Sequence, residues 1–225
     1  MRLREIGYGS WVRRRAAYSD GSQYRPAPGF VQTTRNSVNA AVGSGAGMKQ
    51  VECVEARGFV RKLRGGSQPV LLEASDGLLY VVKFQNNFQG SNLLFNEAIG
   101  TELFRLAGLP CPEWRLVAVS PGFLAQNPEC WLQSERGLVR PHAGLCFGSR
   151  FLEWGENRVF EILAGGYFSR VRERRNFWTA WVLDVLGEHT DNRQALFVEG
   201  ASRWLDAYFI DHGHLLGGAR GTGVP

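Results

Sequence analysis

The 225-residue chain contains no run of about eighteen apolar residues, so no membrane-spanning helix is expected. It has no apolar h-region behind Met1, so no secretory signal is read there. It has only four cysteines (Cys53, Cys111, Cys130 and Cys146), far apart and with no Cys-x-x-Cys pair. That argues against a zinc pattern and a dense disulfide framework, and the expectation is buried free thiols in a cytoplasmic protein. Residues 48–225 lack any charge imbalance, with nineteen basic against nineteen acidic residues. The net charge of +5 belongs to residues 1–47, which hold seven arginines, no lysine and two acids, Glu5 and Asp20. Charge therefore gives no support to nucleic-acid binding by the globular part. The arginine-bearing stretch could touch a phosphate backbone, but it reads first as a solvated, disordered extension.

What is present suits one large domain or two small lobes with a sizeable core. Residues 1–47 carry Arg13-Arg14-Arg15, Pro26, Pro28 and Gly43-Ser44-Gly45-Ala46-Gly47, and little periodicity. Met48, the one methionine besides Met1, directly precedes the ordered pattern and is a candidate natural start. From there Val51–Val60, Pro69–Ala74 and Leu78–Phe84 read as three strands of an antiparallel unit. The turn between the first two carries Gly65-Gly66-Ser67, which can expose backbone N–H groups to a phosphate or simply close a hairpin. Lys83 stands inside the third strand. By alternation it shares a face with Val81 and Gln85, opposite Tyr80, Val82 and Phe84, either in solvent or reaching into a cleft.

Residues 91–108 give the clearest helix, with Ser91 as cap, Gly108 as terminator and Pro110 and Pro112 beyond. Glu97 lies on or beside its apolar stripe. Buried there it requires a partner, for which Lys83 is the candidate; at the margin it would be solvated. Strands are expected at Arg115–Ser120 and Leu138–Phe151, with a loop at 121–129 and an interrupted helix at 157–175. In residues 176–188 both the Phe177/Trp181/Val185 and the Trp178/Val182/Leu186 rows are apolar, so this helix is expected deep in the core. A polar burst, His189-Thr190-Asp191-Asn192-Arg193-Gln194, follows it. Two strands, Ala195–Val198 and Trp204–Ile210, then end on Asp211-His212-Gly213. Asp191 and Asp211 thus stand at the outer ends of one hairpin, as two turn residues or as a carboxylate pair suited to Mg²⁺–nucleotide chemistry.

The order of Gly65-Gly66-Ser67, Val81-Val82-Lys83-Phe84, Asn96-Glu97, Gly108-Leu109-Pro110-x-Pro112, Asp191-Asn192-Arg193-Gln194 and Phe209-Ile210-Asp211-His212-Gly213 resembles the HipA-like kinase domains, distant members of the protein-kinase-like fold. The resemblance spans about residues 51–215. It implies an α+β, two-lobed fold: an antiparallel N-lobe sheet with one helix to about residue 150, then a mainly helical C-lobe, incomplete here. It implies an ATP- and Mg²⁺-dependent phosphotransferase, with a Ser/Thr kinase among its readings, acting on a protein or small-molecule hydroxyl. By that resemblance Gly65, Gly66 and Ser67 cover the phosphates, and Lys83 contacts them while paired with Glu97. Asp191 orients the acceptor hydroxyl, Asp211 holds Mg²⁺, and Gln194 or Asn192 supplies a further oxygen. The sequence departs from the kinase pattern at Leu196, where kinases place a metal-binding Asn five residues after the catalytic Asp, and at His212, where they place Phe. These departures keep a second reading open, a catalytically inactive nucleotide-binding or protein-interaction module.

Overall fold

The computed structural model describes residues 52–152, 158–200 and 202–220. The extension expected at residues 1–47 and the candidate start at Met48 lie outside them. The backbone divides after Gln50, and the fold described here belongs to the unit Val51–Pro225.

Five strands close into a barrel in the order β1 (Cys53–Lys62), β2 (Val70–Ala74), β3 (Leu79–Lys83), β7 (Gly144–Arg150), β4 (Trp114–Val119). All pairings are antiparallel except β1 with β4, which is parallel and completes the ring. Two register shifts in the β1–β2 ladder, at Ala56/Gly58 and Phe59/Arg61, supply the bends that closure needs. Alternation sends Val70, Leu72, Tyr80, Val82, Val117 and Cys146 inward, and all are buried. The short helix α2 (Pro121–Gln126) packs Phe123 and Leu124 against the same core. Ser120 caps it by accepting from the Phe123 N–H at 3.0 Å, and Pro121 stands in its first turn. The expected loop at 121–129 is therefore a capped helix whose signal, Ser-Pro, is as short as the helix itself. A small ribbon of β5 (Leu132–Ser134) and β6 (Gly137–Val139) follows.

Helix α1 (Leu93–Leu106) packs beside β7 and turns Asn96, Glu97, Gly100, Thr101 and Phe104 inward. Gly108, at φ 77°, ends it in a left-handed cap. The Leu109 N–H donates to the Phe104 carbonyl at 2.9 Å and the Gly108 N–H to the Arg105 carbonyl at 3.0 Å. The second half of the unit is a three-stranded antiparallel sheet, β8 (Arg158–Phe160), β9 (Gln194–Glu199) and β10 (Leu205–Ile210), with helix α3 (Asn176–Leu186) beside it. Phe177 and Ala180 of α3 meet Phe104, Phe209 and Leu215 in a second core.

The expected protein-kinase-like, two-lobed fold is not what the chain adopts. The described residues form mostly strands, with a closed barrel in place of an open N-lobe sheet. After residue 151 one α-helix accompanies three strands, so the described residues form no mainly helical lobe there. The interrupted helix expected at 157–175 is β8 followed by a 3-10 turn at Gly165–Arg170, because Gly165-Gly166 breaks helical propagation. Helix α3 starts where expected and ends two residues earlier, at Leu186, and it lacks the expected burial. Ala180 alone is fully buried, and Trp178, Trp181, Val185 and Leu186 are exposed. Among the described residues no helix is long and apolar enough to cross a membrane.

These packing differences separate two leucines. Leu72→Ala, in the barrel core, is expected to destabilise the fold by about 2–5 kcal/mol. Leu106→Ala, on a side chain 85% exposed, should change stability by less than about 0.5 kcal/mol. Urea unfolding of both variants checks the contrast, and equal losses would contradict the core assignment.

Candidate functional site

Lys83 is the last residue of β3, and alternation points it away from the barrel interior toward α1. Its side chain is buried, which a charged ammonium tolerates only with partners. It has two, donating to Glu97 Oε1 in a close ion pair and to Asp211 Oδ1 at 2.7 Å. Glu97 sits about one turn into α1, almost fully buried, and its other oxygen accepts from the His212 N–H at 3.2 Å. The second oxygen of Asp211 accepts from Gln194 Nε2 at 2.6 Å. Lys83, Glu97, Asp211 and Gln194 therefore form one connected cluster, drawn from the barrel, α1 and the two outer ends of the β9–β10 hairpin.

The ionisation states follow from this wiring. Burial alone would lower the Lys83 pKa, but the Glu97 and Asp211 carboxylates outweigh it and hold Lys83 above the ordinary lysine value. Burial pushes the Asp211 carboxyl upward, but the Lys83 charge and hydrogen bond prevail and keep it below the usual carboxylate range. Glu97 is raised, because burial and the nearby Asp211 charge oppose the pull of Lys83. The site thus presents a fixed cation beside an ionised, partly accessible carboxylate.

Asp211 adopts φ 60°, a left-handed conformation that Asp tolerates but that requires support. Arg193 provides it. Arg193 Nη1 donates to the carbonyls of Ile210 at 3.0 Å and Asp211 at 3.2 Å, and to His212 Nδ1 at 3.1 Å. Its Nε donates to both oxygens of Asp184 in α3, and the guanidinium lies 4.5 Å over the Phe104 ring. His212 is buried edge-on against Phe104, and burial followed by the Arg193 charge holds its pKa well below that of an ordinary histidine. Its Nε2 lies 3.8 Å from Cys111 Sγ, a thiol that burial pushes up to about 12 and so keeps protonated. Asn96 ties α1 to the segment after Asp211, donating from Nδ2 to the carbonyls of Gly213, Leu215 and Gly218 at 3.1, 2.6 and 3.2 Å. A Cβ at Gly213 would stand 2.4 Å from Leu93 Cδ1 and 2.9 Å from Glu97 Oε1, so a side chain here would displace both.

Asp191 is exposed on the loop between α3 and β9 and accepts from the Asn192 N–H at 2.7 Å. His189 links it to the cluster through backbone, with Nδ1 at 2.7 Å from the Asp191 carbonyl and Nε2 at 3.4 Å from that of Asp211. Gly65, Gly66 and Ser67 stand elsewhere in the hydrogen-bond network. The Ser67 carbonyl accepts from Asn87 Nδ2 at 2.5 Å and Gly66 packs on Gln89, so the loop after β3, and not Lys83 itself, holds this turn. Asn192 makes only its backbone contact to Asp191, whereas Gln194 reaches Asp211; of the two expected amides, Gln194 alone joins the cluster.

The positioning roles of Asn96, Asp184, Arg193 and His212 were not legible as such. One signal was available for Asp184, a single acid inside an otherwise uncharged helix nine residues before an arginine. No protein-family model matches the chain, and it has no significant match to a curated protein or a solved structure.

Lys83→Met should cost about 3–5 kcal/mol, because it leaves the buried Glu97 unpaired, and Lys83→Met/Glu97→Leu should recover most of that loss. A chemical-denaturation double-mutant cycle reads this, and strictly additive losses would contradict the pairing. Stability should also fall with acid. The unfolded chain takes up a proton on His212 near its ordinary pKa of 6.5, which the folded state refuses. The His212 contribution is therefore complete above that pH and is lost as the pH falls below it, by up to about 1.4 kcal/mol per pH unit. His212→Asn should remove this part of the slope between pH 6.5 and 5, and an unchanged slope would count against the assignment.

Proposed function

We propose that the Lys83 cluster is the phosphate- and metal-binding part of an ATP- and Mg²⁺-dependent phosphotransferase, moving the γ-phosphate to a hydroxyl of a protein or small-molecule acceptor. The observation that carries the reading is the buried Lys83 ammonium, held between Glu97 and an Asp211 carboxylate that also engages Gln194. Phosphoryl transfer asks little covalent chemistry of a protein. It asks for fixed positive charge on the phosphates, oxygen ligands for the metal and an oriented nucleophile. Lys83 supplies the first, with Glu97 fixing its position. Asp211 and, with its amide turned, Gln194 supply the second. Asp191, exposed at the loop tip, supplies the third by accepting a hydrogen bond from the acceptor hydroxyl. The resemblance to HipA-like kinases in motif order points the same way, although the architecture lends it no support.

The donors fit the metal. Mg²⁺ at phosphate sites takes one or two carboxylates and completes its shell with phosphate oxygens and water. Among the described residues no group of three or more His, Cys, Asp or Glu could hold a metal ion, so an ion here would need phosphate oxygens and water beside Asp211 and Gln194. When bound, Mg²⁺ would neutralise charge on the transferring phosphoryl group. One observation favours the alternative, an inactive nucleotide-binding or interaction module. Leu196, in the position of the kinase Asn, lies within β9 opposite Tyr208 and offers no oxygen ligand from its side chain.

Saturating MgATP at about a hundred times its dissociation constant should stabilise the chain by about 2.7 kcal/mol, a rise of several degrees in Tm. Asp211→Ala should abolish the Mg²⁺-dependent part of the shift. Asp191→Ala should keep the shift and remove phosphate transfer. A shift that survives Asp211→Ala, or none at all in a cooperatively melting sample, would refute the reading, and binding with no transfer in the unmodified chain would select the inactive module.

A further inference from the structure

Helix α3 carries an uncovered apolar stripe. Trp178, Trp181, Val182, Val185 and Leu186 are 71, 59, 46, 58 and 76% exposed, and their three-and-four spacing places them along one face. The opposite side, through Phe177, Ala180 and Leu183, is the one that packs on Phe104, Phe209 and Leu215. The Trp178 and Trp181 rings meet edge to face, with centroids 6.4 Å apart. Contiguous exposed apolar area of this kind marks an interaction surface.

The charges around the stripe say what fits it. Within α3 the one charged residue, Asp184, is consumed by Arg193. Before the helix stand Glu173, Arg174 and Arg175, net positive by two arginines against one acid, and just past Gly187 stands Glu188. All four are exposed, and among the described residues none has an ion pair. The surface is therefore positive at one end, apolar in the middle and negative at the other. Such a pattern is complementary to itself when two copies run antiparallel.

We infer that α3 packs against α3 of a second copy of this chain about a two-fold axis. Antiparallel pairing sets Arg174 and Arg175 of each copy against Glu188 of the other, so every charge contact occurs twice. It brings Glu188 to the N-terminal end of the partner helix, where the dipole favours an anion. It also lays the tryptophans over the partner's Val185 and Leu186. Parallel pairing would oppose like charges at both ends. A face of five side chains lies at the small end of specific interfaces, which bury about 1,600 Å² in total, so the dimer dissociates on dilution.

Sedimentation velocity of the full chain from about 1 to 100 µM tests this. The unmodified chain should shift from monomer to dimer over that range. Trp178→Glu/Trp181→Glu should remain monomeric, with its circular-dichroism melt unchanged because both side chains are exposed. Glu188→Arg should raise the dissociation constant about tenfold, as should Arg174→Glu/Arg175→Glu, and combining all three in one chain should restore it. A monomer at every concentration overturns the inference. So does a dimer indifferent to the tryptophan changes, or a combined charge variant no tighter than its parents. An unrelated protein that binds the stripe while the chain itself stays monomeric also overturns it.

Discussion

Lys83 is a cation buried where three elements of one compact unit meet, and the arrangement around it follows from the need to satisfy that charge. The barrel supplies the lysine, α1 supplies Glu97, and the end of the β9–β10 hairpin supplies Asp211. An ammonium withdrawn from water without partners costs several kcal/mol, so neither α1 nor the hairpin end can move away without leaving a charge exposed to apolar surroundings. The geometry of the cluster is in this sense enforced by electrostatics, while three hydrophobic clusters supply the bulk of the burial.

The segment after Asp211 acts as the wedge that keeps these pieces in register. Asn96 holds three of its carbonyls from α1, the Leu216 N–H donates to the Gly187 carbonyl at the end of α3 at 2.6 Å, and the Thr190 N–H returns to the His214 carbonyl at 3.0 Å. Arg193 joins the same region to α3 and to the Phe104 ring. The left-handed Asp211 is thus over-determined from both sides, the circumstance in which strained backbone persists at sites of chemistry. Pre-set charge and pre-set backbone are also what an electrostatic catalyst requires, since donors that need not reorganise act at full strength.

Much of the local structure was legible because it depends on short-range signals. Strand alternation located β1, β2 and β3 and put Lys83 opposite Tyr80 and Val82. Gly108 with its following prolines ended α1, and the hairpin placed Asp211 beside the Asp191–Gln194 loop. The architecture was not legible, because closure of the barrel depends on the parallel β1–β4 pairing between residues some sixty positions apart, which no periodicity reports. The burial of α3 was misjudged for a related reason. An all-round apolar helix signals burial only if something covers both faces, and the described residues cover one. Likewise the Gly65–Ser67 turn read either as a phosphate-facing loop or as a plain hairpin turn, and its contacts to Asn87 and Gln89 come from a loop that the local sequence does not report.

The central claim is that the charge on Lys83, now shared by two carboxylates, is the charge that meets nucleotide phosphate. The chain has three lysines, Lys49, Lys62 and Lys83, so ¹⁵N-lysine labelling gives a side-chain spectrum simple enough to follow one ammonium. The buried Lys83 ammonium should exchange slowly with water and stand apart from the exposed Lys62. Adding MgATP should move that resonance in a saturable, Mg²⁺-dependent way, while Asp211→Ala should not respond to Mg²⁺. A Lys83 signal that stays in place at saturating MgATP would contradict the account.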